Sequence, residues 1–218
     1  MKAKSVMNYQ GKILWLTGLS GAGKTTIAKG VAQELRSRGC LVELLDGDVV
    51  RTHLSQGLGF SKEDRDINVR RIGFVADLLS RNGVIAIAAV ISPYREIREK
   101  LKQTTTNFVE IYVQAPLAVC KSRDVKGLYA KARAGEIQNF TGISDPYEEP
   151  LNPEVICSTN QFTIQQCVQQ VVSYLESQDY IPVCPSKVEM LTVERQSLPY
   201  GNAKSEQVGK PAYSAGSC

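Results

Sequence analysis

The sequence contains one histidine, His53, and six cysteines, Cys40, Cys120, Cys157, Cys167, Cys184 and Cys218, with no Cys-x-x-Cys pair among them. That spacing excludes the usual zinc ligand sets and leaves idle or buried thiols in a reducing compartment as the default reading. No apolar run approaches the roughly 20 residues that a membrane span needs, and Met1 to Gln10 lack the apolar core of a signal peptide. A cytoplasmic protein with no membrane partner is expected. The formal charge is only +4, and Lys and Arg are spread along the chain rather than gathered in runs. This points to an anionic small substrate and away from a dedicated nucleic-acid surface. What remains is 218 residues, 43% hydrophobic and 22% charged, enough for one substantial α/β domain plus a tail.

What is present begins with Gly18-Leu19-Ser20-Gly21-Ala22-Gly23-Lys24-Thr25, followed by Thr26, between the apolar run Ile13 to Thr17 and a helix-compatible segment from Lys24. This is the P-loop pattern Gly-x-x-x-x-Gly-Lys-Thr in its strand-to-helix setting. Glycines let successive N–H groups turn toward phosphate oxygens. Lys24 can reach the β and γ phosphates, Thr25 can ligate magnesium, and the positive end of the helix favours the anion. Binding of a nucleoside triphosphate follows.

Apolar runs at Ile13 to Thr17, Leu41 to Asp46, Val84 to Ile91 and Phe108 to Val113 alternate with helical stretches, the signature of a parallel sheet with crossover helices. Helices are expected over Lys24 to Arg38, from Ser61 to Asn82-Gly83, over Tyr94 to Gln103, and from about Thr163 to Ser177. A last strand is expected near Val155 to Ser158. Between Lys121 and Pro153 the pattern becomes Gly, Pro, Tyr and mixed charge, which reads as a mobile basic segment rather than another strand-helix unit. Residues 183–218 lack periodicity and read as a largely disordered tail.

In open parallel sheets the ligand lies beyond the carboxyl ends of the strands, so the polar residues that follow each apolar run are the candidates. After the second run, Asp48 can hold magnesium or orient an attacking hydroxyl and Arg51 can clamp an anion; alternatively Asp46 or Asp48 caps a turn and Arg51 is solvated. Phe60, Arg65 and Asn68 can hold a nucleotide-like acceptor, or serve as a hydrophobic staple and a charged helix face. Ile91-Ser92-Pro93 reads as a helix start with Ser92 at the N-cap and Pro93 at the first helical position, which does not exclude a site role for Ser92. Arg123 and Lys126 begin the Gly-punctuated segment that can fold over bound nucleotide, exclude water and add positive charge at the transferring phosphoryl; a solvated loop is the alternative.

Seven ordered motifs together resemble the adenylylsulfate kinase (APS kinase) family over about Asn8 to Glu176. They are the P-loop from Gly18, Leu-Asp-Gly-Asp-Val-Val-Arg from Leu45, Gly-Phe-Ser from Gly59, Asp64-Arg65 with Asn68-Val69-Arg70-Arg71-Ile72, Ile91-Ser92-Pro93-Tyr94-Arg95, Arg123 to Tyr129, and Phe140-Thr141-Gly142-Ile143 through Pro146-Tyr147-Glu148. The resemblance implies an α/β P-loop kinase, a parallel sheet with helices on both faces and a mobile lid at about 121–150. The kinase domain would span residues 1–182. It implies transfer of the γ-phosphate of ATP, with magnesium, to the 3′-hydroxyl of adenosine 5′-phosphosulfate, by a homodimer.

Under the same resemblance Gly18 to Thr26 with Arg123 would bind ATP, and Thr25 with Asp48 the magnesium. Lys24, Asp48 and Ser92 would be catalytic. Arg51, Arg65 and Asn68 would bind the phosphosulfate and ribose, Phe60 and Phe140 would stack on the acceptor's adenine, and Ile91, Ser92 and Lys126 would complete the acceptor side. Ser92 matches a serine regarded in the family as a possible phosphoserine, a role that direct in-line transfer does not require. Phe74 and Asp77 depart from the family's Glu-Val-Ala-Lys stretch, which alters a helix face rather than the chemistry. The chain starts about a dozen residues before its first strand, so the redox-regulatory extension of plant relatives is not expected.

Overall fold

The computed structural model describes residues 10–182; the tail expected over 183–218, with Cys184 and Cys218, lies outside the described residues. Five strands, β1 (Ile13–Thr17), β2 (Val42–Asp46), β3 (Ile85–Ala89), β4 (Phe108–Gln114) and β5 (Val155–Ser158), form one sheet in the order β2-β3-β1-β4-β5. Every pairing is parallel, with Leu14 of β1 registered on Ile87 and Val109.

Seven helices accompany the strands among the described residues: α1 (Lys24–Ser37), α2 (Gly47–His53), α3 (Lys62–Arg81), α4 (Arg95–Thr104), α5 (Leu117–Arg123), α6 (Leu128–Arg133) and α7 (Ile164–Ser177). Because side chains alternate across a strand, β1 serves two cores at once. Leu14 and Leu16 pack with Ile27, Val31 and Leu35 of α1 and Val171 and Leu175 of α7. Ile13 and Trp15 pack with Val69 and Ile72 of α3 and Ile97 and Leu101 of α4 on the other face. No helix among the described residues is long and apolar enough to cross a membrane.

Local chemistry sets the helix starts. Ser61 caps α3 by accepting from the backbone N–H of Asp64, and Thr163 with Gln166 forms a full capping box at α7. The expected cap at Ser92 is corrected. Tyr94 occupies the N-cap of α4, without a side-chain bond, and Ser92 sits two residues earlier with a left-handed φ of 40°. The reason lies far along the chain: the Glu148 carboxylate accepts the Arg95 N–H at 2.7 Å and supplies the negative charge that a helix start favours. Ser92 is thereby released for other bonds.

The polar segment after β2 is also more ordered than its sequence suggests. Asp46 accepts from the Asp48 N–H at 3.0 Å and starts the short helix α2. The basic segment after Lys121 contains no strand, as expected, but it carries the end of α5 and all of α6. Two of its aromatics, Tyr129 and Phe140, belong to the main core.

Candidate active site

The carboxyl ends of β1, β2 and β3 open onto a cavity of about 830 Å³. One wall is the P-loop. A Cβ on Gly18, at φ 151°, would lie 2.4 Å from the Val113 carbonyl oxygen, so only glycine lets the chain leave β1 this close to β4. Ser20, Gly21, Gly23, Lys24, Thr25 and Thr26 face the cavity. Gly18 and Leu19 contribute from behind, their carbonyls accepting from Lys24 Nζ at 3.0 and 2.8 Å, while Ala22 is fully buried in the core. Burial lowers the Lys24 pKa to about 8, partly countered by the nearby Cys120 thiol and Asp48. An anion in the loop would reverse that shift.

Thr25 donates its hydroxyl to Asp46 Oδ2 at 2.8 Å, so Asp46, not Asp48, stands against the predicted magnesium-binding hydroxyl. Asp48 instead forms an ion pair with Lys126, reaching across the cavity mouth. No group of three or more His, Cys, Asp or Glu side chains among the described residues could hold a metal. Magnesium requires none, since one or two side-chain oxygens beside substrate phosphates satisfy it. Thr25, Asp46 and Asp48 offer that hard-oxygen set.

At the opposite end, Arg51 and Arg65 stand over the ring of Phe60, their guanidinium carbons 4.2 and 5.6 Å from its centroid. Phe60 is half-exposed, so the staple reading fails to describe it. Arg65 is buried; its Nε donates to the Phe60 carbonyl at 2.9 Å and its Nη2 to the Asn139 carbonyl at 2.6 Å. Burial lowers the pKa of both arginines, and Arg51 is lowered further by Arg65, yet guanidinium keeps its charge. Asp145 lies 3.7 Å from Arg65 Nε, and two guanidinium groups held this close, with a single carboxylate paired to one of them, suit an anionic ligand.

Beside them the side-chain oxygens of Asn68 and Thr141 are buried without a hydrogen-bond partner, and both residues line the cavity. Buried polar atoms are rarely left unpaired, which is what a site shaped for a polar ligand presents. Phe140 lines the same end, next to Asn139.

Ile91 and Ser92 lie on the cavity wall between the two ends. Ser92 is 1% exposed. Its hydroxyl accepts from Trp15 Nε1 at 3.1 Å and donates to Thr17 at 3.0 Å, and Thr17 donates in turn to the Ile91 carbonyl at 2.8 Å. Tyr147 closes this network at Thr17, and burial pushes its phenol up to about 12.

Arg123 lies at the P-loop end of the cavity. It bonds the Gly21 carbonyl and both the hydroxyl and carbonyl of Thr159, whose hydroxyl also meets the Ala22 carbonyl. Thr159 and Phe162 escaped the sequence reading, and Thr141 at the other end is part of the Phe140 motif but was given no role of its own. Thr159 follows β5 directly, so the rule that found the other polar groups could have found it.

The adenylylsulphate kinase family model matches residues 10–158 of this chain. An adenylyl-sulfate kinase of Rippkaea orientalis is 61% identical over 175 residues, spanning 80% of this chain and 97% of the relative. One from Picosynechococcus is 58% identical over 175 residues, spanning 80% and 99%. The solved APS kinase of Mycobacterium tuberculosis, in complex with AMPPNP and APS, is 42% identical with a TM-score of 0.74, covering 77% of this chain and 99% of its own.

Proposed function

Since this chain belongs to the adenylylsulphate kinase family, we infer that its cavity carries out that family's reaction: transfer of the γ-phosphoryl group of ATP to the 3′-hydroxyl of adenosine 5′-phosphosulfate. The products are 3′-phosphoadenosine 5′-phosphosulfate and ADP. The observation that carries this reading is the joining, in one cavity, of a P-loop with a second anion-binding end built from Arg51, Phe60, Arg65 and Asn68. A neutral sugar gives no use for two arginines, and a simple hydroxy acid gives none for the aromatic ring beneath them.

Phosphoryl transfer asks the protein mainly for position and charge. On this reading the P-loop N–H groups and Lys24 hold the donor phosphates, and Arg123 holds the donor end of the site. Thr25, with Asp46 and Asp48, would hold magnesium, which would supply positive charge to the phosphate oxygens. Asp48 orients the acceptor hydroxyl and takes its proton, while Lys126 moves its cation from Asp48 to the transferring group. Arg51, Arg65 and Asn68 bind the phosphosulfate and ribose; Phe60 and Phe140 stack on the adenine. Ile91 and Ser92 shape the wall beneath the ribose.

The kinase domain is taken to end near residue 182. Ile181 is buried and the Pro182 carbonyl accepts from Arg38 at 3.1 Å, which supports that limit. A homodimer follows from the family resemblance. The free thiols of Cys40, Cys120, Cys157 and Cys167 fit a reducing cytoplasm.

A coupled ADP-release assay with magnesium and a panel of acceptors tests the reading. Turnover should require adenosine 5′-phosphosulfate. Equal rates with gluconate or shikimate would move the assignment to another small-molecule kinase, and no ADP with any acceptor would leave a nucleotide-binding regulator.

A further inference from the structure

Donor and acceptor ends of the cavity meet at a side chain outside the set named above. Tyr129, in the first turn of α6, is fully buried. Its hydroxyl donates to the Ser20 carbonyl of the P-loop at 2.9 Å. Its ring meets Phe140 edge-on, with centroids 5.0 Å apart and planes at 82°. One rigid phenol therefore touches the loop that grips the donor phosphates and the aromatic at the acceptor end.

Both ends of this strut are themselves held. The Asp124 carboxylate accepts the backbone N–H groups of Tyr129 and Ala130, each at 3.0 Å, which fixes where α6 begins. Phe140 follows Asn139, whose carbonyl takes the Arg65 guanidinium at 2.6 Å. A buried phenol usually finds a partner for its hydroxyl, but a nearby hydroxyl or water would have served. Here the partner is a P-loop carbonyl more than a hundred residues away in sequence.

We propose that Tyr129 is a positioning residue that sets the distance between the donor phosphates and the acceptor base, through its hydroxyl on Ser20 and its ring against Phe140. The proposal rests on the reading of Phe140 as the residue that stacks on the acceptor. Transfer needs reacting atoms about 3–3.5 Å apart, and a displacement of about 1 Å costs on the order of a hundredfold in rate. Loss of this register therefore falls on turnover, while each nucleotide keeps its own binding contacts.

Steady-state kinetics of the full chain with Tyr129→Phe and Phe140→Leu test it, with urea unfolding of each variant alongside. Tyr129→Phe removes one hydroxyl and keeps the ring. Its kcat should fall roughly tenfold to a hundredfold while KM for either substrate changes less than about threefold, the split expected when the alignment of the reacting groups is lost and the binding of each is kept. Phe140→Leu should raise KM for adenosine 5′-phosphosulfate roughly tenfold through lost aromatic contact.

Wild-type kcat in Tyr129→Phe overturns the inference. So does a fall in kcat matched by rises in both KM values and an equal loss of stability, which marks a merely structural residue. If Phe140→Leu leaves KM for the acceptor unchanged, the stacking reading fails and the inference fails with it. A raised KM there with an unaffected Tyr129→Phe removes the inference alone.

Discussion

Arg98 and Glu110 form an ion pair at 2.8 Å with side chains only 1% and 9% exposed. The other two guanidinium nitrogens donate to the carbonyls of Ser92 at 2.6 Å and Glu148 at 2.7 Å. One buried cation thus ties α4, β4, the strained turn at Ser92 and the segment at Glu148 that leads towards β5. It touches no predicted substrate residue except through the Ser92 backbone.

Removing one partner of a buried pair strands the other charge, at a cost of about 3–5 kcal/mol. Arg98→Met should therefore be strongly destabilised, and it also leaves two carbonyls without donors. Adding Glu110→Gln should return part of the loss by removing the stranded carboxylate. Urea unfolding measures both; an Arg98→Met protein as stable as wild type would show that water replaces the guanidinium.

Lys24 provides a test by pH. Its pKa is lowered by burial from 10.5 to about 8, and gripping phosphate requires the charged form. In the free enzyme kcat/KM for ATP should fall as pH rises through about 8. Bound phosphates favour the cation, so kcat at saturating ATP should persist to higher pH. Lys24→Arg keeps its charge and should lose the alkaline limb, whatever its absolute rate. The linked stability has the same origin: between about pH 8 and 10.5 the unfolded lysine holds a proton that the folded one has released, so the nucleotide-free protein gains stability as pH rises there.

How far the sequence carried follows from how local each signal is. β1 and β5 coincide with their apolar runs, and α3 and α7 begin directly after Ser61 and Thr163, where they were expected to begin, because each depends on residues within one turn or one strand. The P-loop and the Arg51, Phe60, Arg65 and Asn68 group were legible as motif and strand-end chemistry. Helix α2 was not, since seven residues with only Val50 buried give no periodicity. Ser92 was misread because its competitor for the start of α4 is Glu148, 53 residues beyond Arg95. Thr25 meeting Asp46 rather than Asp48 likewise depends on how β2 ends beside α1, which spacing alone does not reveal.

Ser92 yields a sharp expectation for the chemistry. Its hydroxyl is committed to Trp15 and Thr17 and almost entirely buried, a poor posture for carrying a phosphoryl group. Ser92→Ala should keep turnover within about tenfold of wild type, equivalent to about 1.4 kcal/mol at the barrier. Stability should fall by about 1–3 kcal/mol, because the buried Trp15 N–H loses its acceptor. Abolished turnover in a protein with intact unfolding behaviour would restore the covalent role.

Lys126 and Asp48 make the opposite kind of pair to Arg98 and Glu110. Their side chains are 58% and 71% exposed, and an exposed ion pair contributes under about 1 kcal/mol to stability. Lys126→Met should therefore unfold at nearly the wild-type urea midpoint. Its kcat should nevertheless fall on the order of a hundredfold, the usual consequence of removing one preorganised charge from a transferring group. Asp48→Asn should be equally stable and at least as slow, since it loses the group that orients the acceptor hydroxyl. A Lys126→Met enzyme with wild-type kcat would mean that the lysine only shields Asp48 before the nucleotides bind, and the positive charge at the transferring phosphoryl would then come from Lys24 and magnesium alone.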